Sequence, residues 1–141
     1  MKKRKILMLT SYPPRECGIA TFSRDLTTAI RKSFGTSLEM EVCALENGCD
    51  LGRDYPTEVT YTLNSTELDS FFSVADKLNE RNDIGMVCIQ HEFGLYGGEY
   101  GSHLIAFLLR LNIPVCCIFH TVLPHPDEKR LKVVQALENL S

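Results

Sequence analysis

Two polar side chains, His91 and Glu92, directly follow an apolar segment at residues 86–90. An imidazole beside a carboxylate can transfer a proton or hold a hydroxyl group of a ligand. The zinc motif H-E-x-x-H would need a histidine at position 95, where this chain has leucine, and the sequence contains no C-x-x-C pair. We therefore predict no metal site and expect His91 and Glu92 to have a function at this strand end, with a hydrogen-bonded structural histidine as the alternative.

A further histidine, His120, stands between a second apolar segment at residues 115–119 and Thr121. Its imidazole can donate a hydrogen bond to a sugar hydroxyl or a phosphate, or act as a base, and the sequence leaves both roles open. The same loop contains His125 between two prolines, which indicates an exposed loop residue. His120 and Thr121 are therefore the candidates for chemistry in this loop.

Glycines mark two further places where the backbone can approach a ligand closely. Gly18 is followed by Ile19 and Ala20 at the start of a predicted helix, where backbone N–H groups and the positive helix end favour a diphosphate. This loop matches neither the G-x-G-x-x-G fingerprint nor a P-loop, and a plain strand-to-helix turn is the alternative. Gly97 and Gly98 likewise allow the backbone of the loop after His91 to approach a ligand closely.

The hydrophobic pattern predicts strands that alternate with helices. Short apolar runs predict strands at residues 5–10, 38–45, 58–63, 86–90 and 115–119. Apolar residues at three- and four-residue spacing predict helices at residues 19–34, 65–81, 100–111 and 127–139. Asn64 and Glu67 fit a capping box for the second helix. The last helix has an apolar face of Leu131, Val134 and Leu137.

This order of elements predicts an α/β fold: a Rossmann-like, doubly wound and mostly parallel sheet in three layers, α/β/α. In such a sheet, ligands bind beyond the carboxyl ends of the strands, and all three candidate loops lie at that edge. The length of 141 residues corresponds to a single domain at residues 1–141.

Composition and charge exclude several classes of protein. The net charge of −3 gives no general electrostatic basis for nucleic-acid binding. The longest apolar run has six residues, at positions 104–109, far below the roughly 20 that span a bilayer. Basic residues 2–5 precede too short an apolar run for a secretory signal, so we expect a cytoplasmic protein, with contact at the inner membrane face as an alternative. Apolar surroundings predict reduced core thiols, without disulfides, for Cys43, Cys88, Cys116 and Cys117.

Three segments of the chain resemble motifs of one enzyme family. Residues 12–22 (YPPRECGIATF), 90–98 (QHEFGLYGG) and 119–121 (FHT) are similar to the N-terminal domain of family 4 retaining glycosyltransferases, of the group 1 type. Those enzymes have the GT-B architecture, in which two Rossmann-like domains face a cleft. The resemblance implies transfer of a sugar from a nucleotide-sugar donor to a carbohydrate or lipid-linked acceptor. It also implies retention at the anomeric carbon, with neither a metal ion nor a further cofactor.

The resemblance implies roles for individual residues. Gly18, Ile19 and Ala20 would present backbone amides to the donor diphosphate or the acceptor, although Cys17 replaces the first of the family's two glycines. His120 would be the catalytic histidine that binds the hydroxyls of the donor sugar. The acceptor side of the cleft would be lined by His91, Glu92, Gly97, Gly98 and Thr121.

The family's C-terminal domain supplies most of its nucleotide site, and that domain has no counterpart in these 141 residues. We therefore expect the chain to be a piece of a longer enzyme and to be inactive alone. The alternative from another class is a non-catalytic binding module of Rossmann or flavodoxin-like topology. A dehydrogenase half-domain is disfavoured because the glycine fingerprint is missing and the predicted second strand does not end in an acidic residue. Glu46, one residue beyond that strand, can still fill this role.

Overall fold

The computed structural model describes residues 4–49 and 51–141, which form a five-stranded parallel sheet flanked by helices. The strands are β1 (Arg4–Thr10), β2 (Leu38–Glu46), β3 (Val59–Asn64), β4 (Ile84–His91) and β5 (Val115–Phe119). The helices are α1 (Gly18–Phe34), α2 (Leu68–Asn79), α3 (His103–Arg110) and α4 (Glu128–Leu140). The spatial order β3-β2-β1-β4-β5 is that of a doubly wound, Rossmann-like sheet, which confirms the predicted fold class.

Alternate side chains of the central strand β1 pack into two separate hydrophobic cores. Leu7 and Leu9 point to the side of α2, α3 and α4, into a large core that includes Phe71 and Phe107. Met8 points to the opposite side, into a smaller core beneath α1. Because both faces of β1 are buried, its sequence is a continuous apolar run rather than an alternating one.

The predicted start of α2 is wrong. Asn64 is the last residue of β3 and stays extended because it pairs with Glu46 of β2. Its side-chain oxygen accepts hydrogen bonds from the backbone N–H (3.2 Å) and the hydroxyl (2.8 Å) of Thr66, which makes a turn instead of a helix cap. The helix begins at Leu68, and the side chain of Glu67 makes no capping hydrogen bond.

The helix predicted at residues 100–111 is shorter, because left-handed backbone interrupts its first turn. Tyr100 and Gly101 have φ angles of 51° and 82°, so they belong to a separate 3-10 turn before α3. This turn brings the Tyr100 ring against the guanidinium of Arg130 in α4, which lies 4.2 Å from the ring centre.

The apolar face predicted for α4 is correct only for Leu137. Leu137 and Val133 are buried because α4 packs through them on the large core and on α3. Leu131 is 40% exposed, and Val134 is half-buried. These two residues line an apolar groove of about 260 Å³ beside Phe119 at the end of β5.

The crevice predicted to bind ligands lies between the carboxyl ends of β1 and β4. The chain leaves β1 through α1 to reach β2 on one side, and leaves β4 through α3 to reach β5 on the other. In doubly wound sheets, this reversal of strand order opens a crevice at the carboxyl edge. The loops that follow β1, β4 and β5 all lie at this edge.

The cysteines differ in burial, although none of them forms a disulfide. Cys43 and Cys88 are buried, as predicted, and Cys117 is half-buried. Cys116 is exposed, so the prediction that it is a core thiol is wrong. The reason is that β5 is the edge strand, while α1, the helix on this side, packs on β1 and β2.

The basic residues considered for membrane contact are only partly described. Lys2 and Lys3 lie outside the described residues, whereas Lys5 forms ion pairs with Glu41 (2.8 Å) and Asp83 (3.2 Å). Across residues 4–49 and 51–141, no helix combines the length and the apolar character needed to cross a membrane.

Glu41 is the centre of an ion-pair cluster at the amino-terminal edge of the sheet, opposite the crevice. Its carboxylate accepts hydrogen bonds from Arg81 (2.6 Å), Lys5 (2.8 Å) and Thr60 (3.0 Å). The hydrogen bond from Arg81 is the main reason that the pKa of Glu41 falls from 4.5 to about 2. The charged form of Glu41 therefore stabilises the folded chain.

Acid is expected to weaken the fold through Glu41. A carboxylate whose pKa is lowered on folding contributes stability above its ordinary pKa, and this is lost as the pH falls from 4.5 to about 2. We expect Glu41→Gln to lower the free energy of unfolding by about 1.5 kcal/mol at neutral pH and to flatten this acid loss. Urea unfolding between neutral pH and about pH 3 measures both effects.

The matched control removes an ion pair on the surface. Asp76→Asn breaks the exposed pair between α2 and Arg110, and exposed pairs contribute little to stability. If the free energy of unfolding fell equally with acid in Glu41→Gln and in the unaltered protein, the role assigned to Glu41 would be contradicted.

Candidate functional site

His120 stands just beyond β5 with its imidazole held from two sides. Its Nε2 lies 2.7 Å from Oε1 of Gln90 on β4. Its ring meets the ring of Phe22 in α1 edge-on, with centres 4.8 Å apart. Its backbone N–H donates to the carbonyl of His91 (2.9 Å), which continues the pairing of β4 with β5. His120 therefore connects both strand ends with the first turns of α1.

The contact with Gln90 determines which nitrogen of His120 can meet a ligand. An amide oxygen only accepts hydrogen bonds, so His120 donates through Nε2–H. In the neutral ring, Nδ1 is then the acceptor and can take a hydrogen bond or a proton from a hydroxyl group. The amide nitrogen of the buried Gln90 donates to the thiol of Cys88 (3.8 Å), which keeps the amide oxygen turned toward His120.

Glu92 and Thr121 make a second link between the ends of β4 and β5. The Thr121 hydroxyl donates to one carboxylate oxygen of Glu92 (2.6 Å), and the backbone N–H of Phe93 donates to the other (2.9 Å). A carboxylate accepts up to about four hydrogen bonds, so both oxygens keep capacity for a ligand. The structure thus brings together two residues that were predicted separately, and both are half-buried at the carboxyl edge.

The start of α1 is organised by a cysteine cap. The sulfur of Cys17 accepts a hydrogen bond from the N–H of Ala20 (3.4 Å) and contacts the hydroxyl of Ser11 (3.2 Å). The Ala20 amide therefore has a partner within the chain, while the amides of Gly18 and Ile19 belong to the first turn, which has no intrahelical acceptors. A Cβ added at Gly18 would meet no atom within 4 Å, so the space at this turn is open.

Tyr96 fixes the two strand ends that flank the crevice. Its buried hydroxyl donates to the carbonyl of Gln90 on β4 (2.7 Å) and lies 3.5 Å from the carbonyl of Leu9 on β1. Burial raises the pKa of Tyr96 well above its ordinary value, so the hydroxyl remains a donor. Tyr96 therefore links the carboxyl ends of β1 and β4 on the side of the sheet opposite α1.

His91 points to the other face of β4, away from Gln90. It is 1% exposed, and its ring is enclosed by Phe93, Tyr96 and Phe119, with ring centres 5.0 to 6.2 Å away. Neither ring nitrogen has a hydrogen-bond partner among the described residues. Burial lowers the pKa of His91, so the ring is neutral. Its substrate-binding role stays a prediction, while its backbone carbonyl supports His120.

Gly97 and Gly98 are packed against other parts of the chain. A Cβ added at Gly97 would overlap the carbonyl oxygen of Ser65 and lie 2.7 Å from Nδ1 of His103. Gly98 has a φ of 81°, and a Cβ there would overlap the hydroxyl of Ser102. These glycines therefore allow the loop to approach the chain's own backbone, and their contact with a substrate stays a prediction.

The second strand does end in an acidic residue, which corrects the sequence prediction. β2 runs one residue further than predicted, to Glu46, because Glu46 pairs with Asn64. The buried carboxylate accepts a hydrogen bond from the N–H of Gly52 (3.1 Å), so it holds the loop between β2 and β3. The glycine fingerprint of dehydrogenases is still missing from the loop before α1.

Comparison with protein-family models, curated proteins and solved structures finds no match to this chain. Within residues 4–49 and 51–141, no group of three or more histidine, cysteine, aspartate or glutamate side chains is arranged to hold a metal ion. The assignment to a glycosyltransferase family therefore stays a prediction from the three motifs.

Sequence reasoning did not assign a role to Gln90 or Phe22. Gln90 is the polar residue in an otherwise apolar run, and a buried amide requires a hydrogen-bond partner, which is a usable signal. Phe22 follows the apolar spacing of α1 and is nevertheless 43% exposed, because it faces His120 beyond the carboxyl edge. The sequence pattern alone carries no sign of that contact.

Proposed function

We propose that this chain provides sugar and diphosphate recognition in a retaining glycosyltransferase, at the crevice between β1 and β4. The observation that supports this most is the position of His120, which Gln90 and Phe22 hold beside the open start of α1. A nucleotide-sugar presents an anionic diphosphate next to a ring of hydroxyl groups. The crevice offers backbone N–H groups for the diphosphate and polar side chains for the hydroxyl groups.

The diphosphate would lie at the first turn of α1. The backbone N–H groups of Gly18 and Ile19 and the positive end of the helix favour phosphate oxygens there. The helix is anchored on β1 because the hydroxyls of Thr10 and Ser23 are hydrogen-bonded (2.6 Å). A fixed helix start lowers the entropic cost of binding.

His120 would bind the hydroxyls of the donor sugar, and Glu92 and Thr121 would bind hydroxyls of the acceptor. Each hydroxyl both donates and accepts hydrogen bonds, and the site supplies an imidazole acceptor, a carboxylate and a hydroxyl. Gln90 orients the imidazole of His120, and Thr121 orients the carboxylate of Glu92. His120 would therefore hold the donor sugar in place while its bond to the diphosphate breaks.

Binding is expected to appear in an NMR titration of the ¹⁵N-labelled chain with UDP-, GDP- and ADP-sugars. For at least one donor, the amide signals of Gly18, Ile19, His120 and Thr121 should shift together. His120→Ala should weaken that binding about tenfold, since a lost hydrogen bond of about 1.4 kcal/mol corresponds to that factor. His125→Ala, which removes an exposed histidine from the same loop, is the matched control and should bind normally.

Other outcomes would contradict this proposal. The absence of shifts at α1 and at His120 with every donor would exclude a nucleotide-sugar site in this crevice. Equal binding of the free nucleotide, with no shift at His120, would favour the non-catalytic binding module. Sugar transfer by the chain alone would contradict the expectation that it is inactive without a second domain.

A further inference from the structure

Two cysteines lie side by side on neighbouring strands, on the face of the sheet that carries α1. Cys88 of β4 is the register partner of Cys116 of β5, and partners in a parallel pair point to the same face. That face is identified by Met8, which pairs with Cys88 and lies in the core beneath α1. Cys116 is exposed, and Cys88 is buried next to it.

The spacing of this pair is compatible with a disulfide. Adjacent strands are about 4.8 Å apart, and the Cα atoms of disulfide-bonded cysteines are about 4.4 to 6.8 Å apart. Burial, together with the nearby Cys116 thiol, raises the pKa of Cys88 to about 11. An oxidant from solvent therefore meets Cys116 first, and Cys88 is placed to react with the oxidised sulfur.

The Cys88 thiol is also connected to the candidate site. The side-chain amide of Gln90 donates to Cys88 Sγ (3.8 Å) and accepts from Nε2 of His120 (2.7 Å). A disulfide would draw Cys88 Sγ, which already faces the Cys116 thiol, closer to β5 and weaken the contact that holds the amide. Gln90 would then reorient, and the imidazole of His120 would lose its fixed partner.

We propose that Cys88 and Cys116 are an oxidisable thiol pair whose disulfide repositions Gln90 and, through it, His120. With a peroxide as oxidant, the Cys116 sulfur attacks one peroxide oxygen and the O–O bond breaks, which gives a sulfenic acid and one water. The Cys88 sulfur then attacks the sulfenic sulfur, its S–H proton leaves with the hydroxyl as a second water, and the S–S bond forms. The two thiols lose two electrons, and the peroxide gains them.

The first test follows the covalent change in the whole chain. Treatment with hydrogen peroxide should lower the intact mass by about 2 Da, as one disulfide replaces two thiols. Trypsin should then release peptide 82–110, which contains Cys88, joined to peptide 111–129, which contains Cys116 and Cys117. Dithiothreitol should reverse both changes. Joining of any other pair of peptides as the main product would overturn the proposal.

Variants at the neighbouring cysteine decide which thiol reacts. Cys116→Ser should abolish the linked peptides, and the fold should tolerate it because the residue is exposed. Cys117→Ala is the matched control, because this residue lies one position along the same strand and packs against the opposite core. It should leave the linkage intact. Loss of the linkage in Cys117→Ala together with its retention in Cys116→Ser would overturn the assignment.

The second readout is the ring of His120, followed by ¹H–¹³C NMR. Oxidation should shift the His120 ring signals in the unaltered protein and in Cys117→Ala, and leave them unchanged in Cys116→Ser. His125 should not respond in any of the proteins. A disulfide that forms without a shift at His120 would overturn the coupling through Gln90. This test is independent of sugar binding, so failure of the glycosyltransferase proposal would not affect it.

Discussion

Replacing Gly97 by alanine is expected to lower the free energy of unfolding by about 3 kcal/mol. The added Cβ would overlap the carbonyl oxygen of Ser65 and press on the imidazole of His103 at 2.7 Å. The Ser65 oxygen cannot easily move, because the N–H of the same residue donates to the carbonyl of Glu46 (2.7 Å) and so fixes the turn after β3. Urea unfolding of Gly97→Ala measures the loss.

Gly18→Ala is the matched control for this prediction. A Cβ at Gly18 meets no atom within 4 Å, and alanine in a helix costs less backbone entropy than glycine, so stability should stay the same or rise slightly. The same methyl group would intrude on the space proposed for the diphosphate and should weaken nucleotide-sugar binding. If Gly97→Ala were as stable as Gly18→Ala, the packing role assigned to Gly97 would be wrong.

The fold could be predicted from the sequence because the strands are buried on both faces. Apolar runs of four to six residues between polar loops have few alternatives to a parallel sheet, and β5 was predicted with its observed bounds. The ends of elements were less predictable. The bounds of β2 and β3 depend on the pairing of Glu46 with Asn64, a long-range contact that outweighs the local capping signal of Asn64.

The candidate site could be located from the sequence, but the orientation of its side chains could not. His120, Glu92 and Thr121 lie at the carboxyl edge because each stands within two residues of the end of a predicted strand. For His91 the decisive fact is that β4 includes it, so the two-residue period of a strand turns it away from Gln90. Because β4 extends one residue further than predicted, His91 is a buried strand residue and not a loop residue that faces a ligand.

His91→Phe is expected to raise the free energy of unfolding by about 2 kcal/mol. A buried polar group without a hydrogen bond costs about 1 to 3 kcal/mol, and both ring nitrogens of His91 lack a partner among the described residues. A phenyl ring fits the aromatic surroundings of Phe93, Tyr96 and Phe119 without that cost. Urea unfolding at neutral pH measures the gain. A loss of stability would show that the imidazole is satisfied by a partner, such as a buried water.

The same substitution should remove a pH dependence that belongs to His91 alone. Because burial holds the pKa of folded His91 below its ordinary value of 6.5, the unfolded chain binds a proton first as the pH falls below 6.5. Stability therefore falls on acidification by at most about 1.4 kcal/mol per pH unit, until the folded pKa is reached. His91→Phe should lack this slope between pH 6.5 and the onset of the Glu41 effect near 4.5, whereas His125→Ala should retain it. If stability fell equally with pH in His91→Phe and in the unaltered protein, His91 would take up its proton equally in the folded and the unfolded chain. The conclusion that the folded ring is enclosed and neutral would then be wrong.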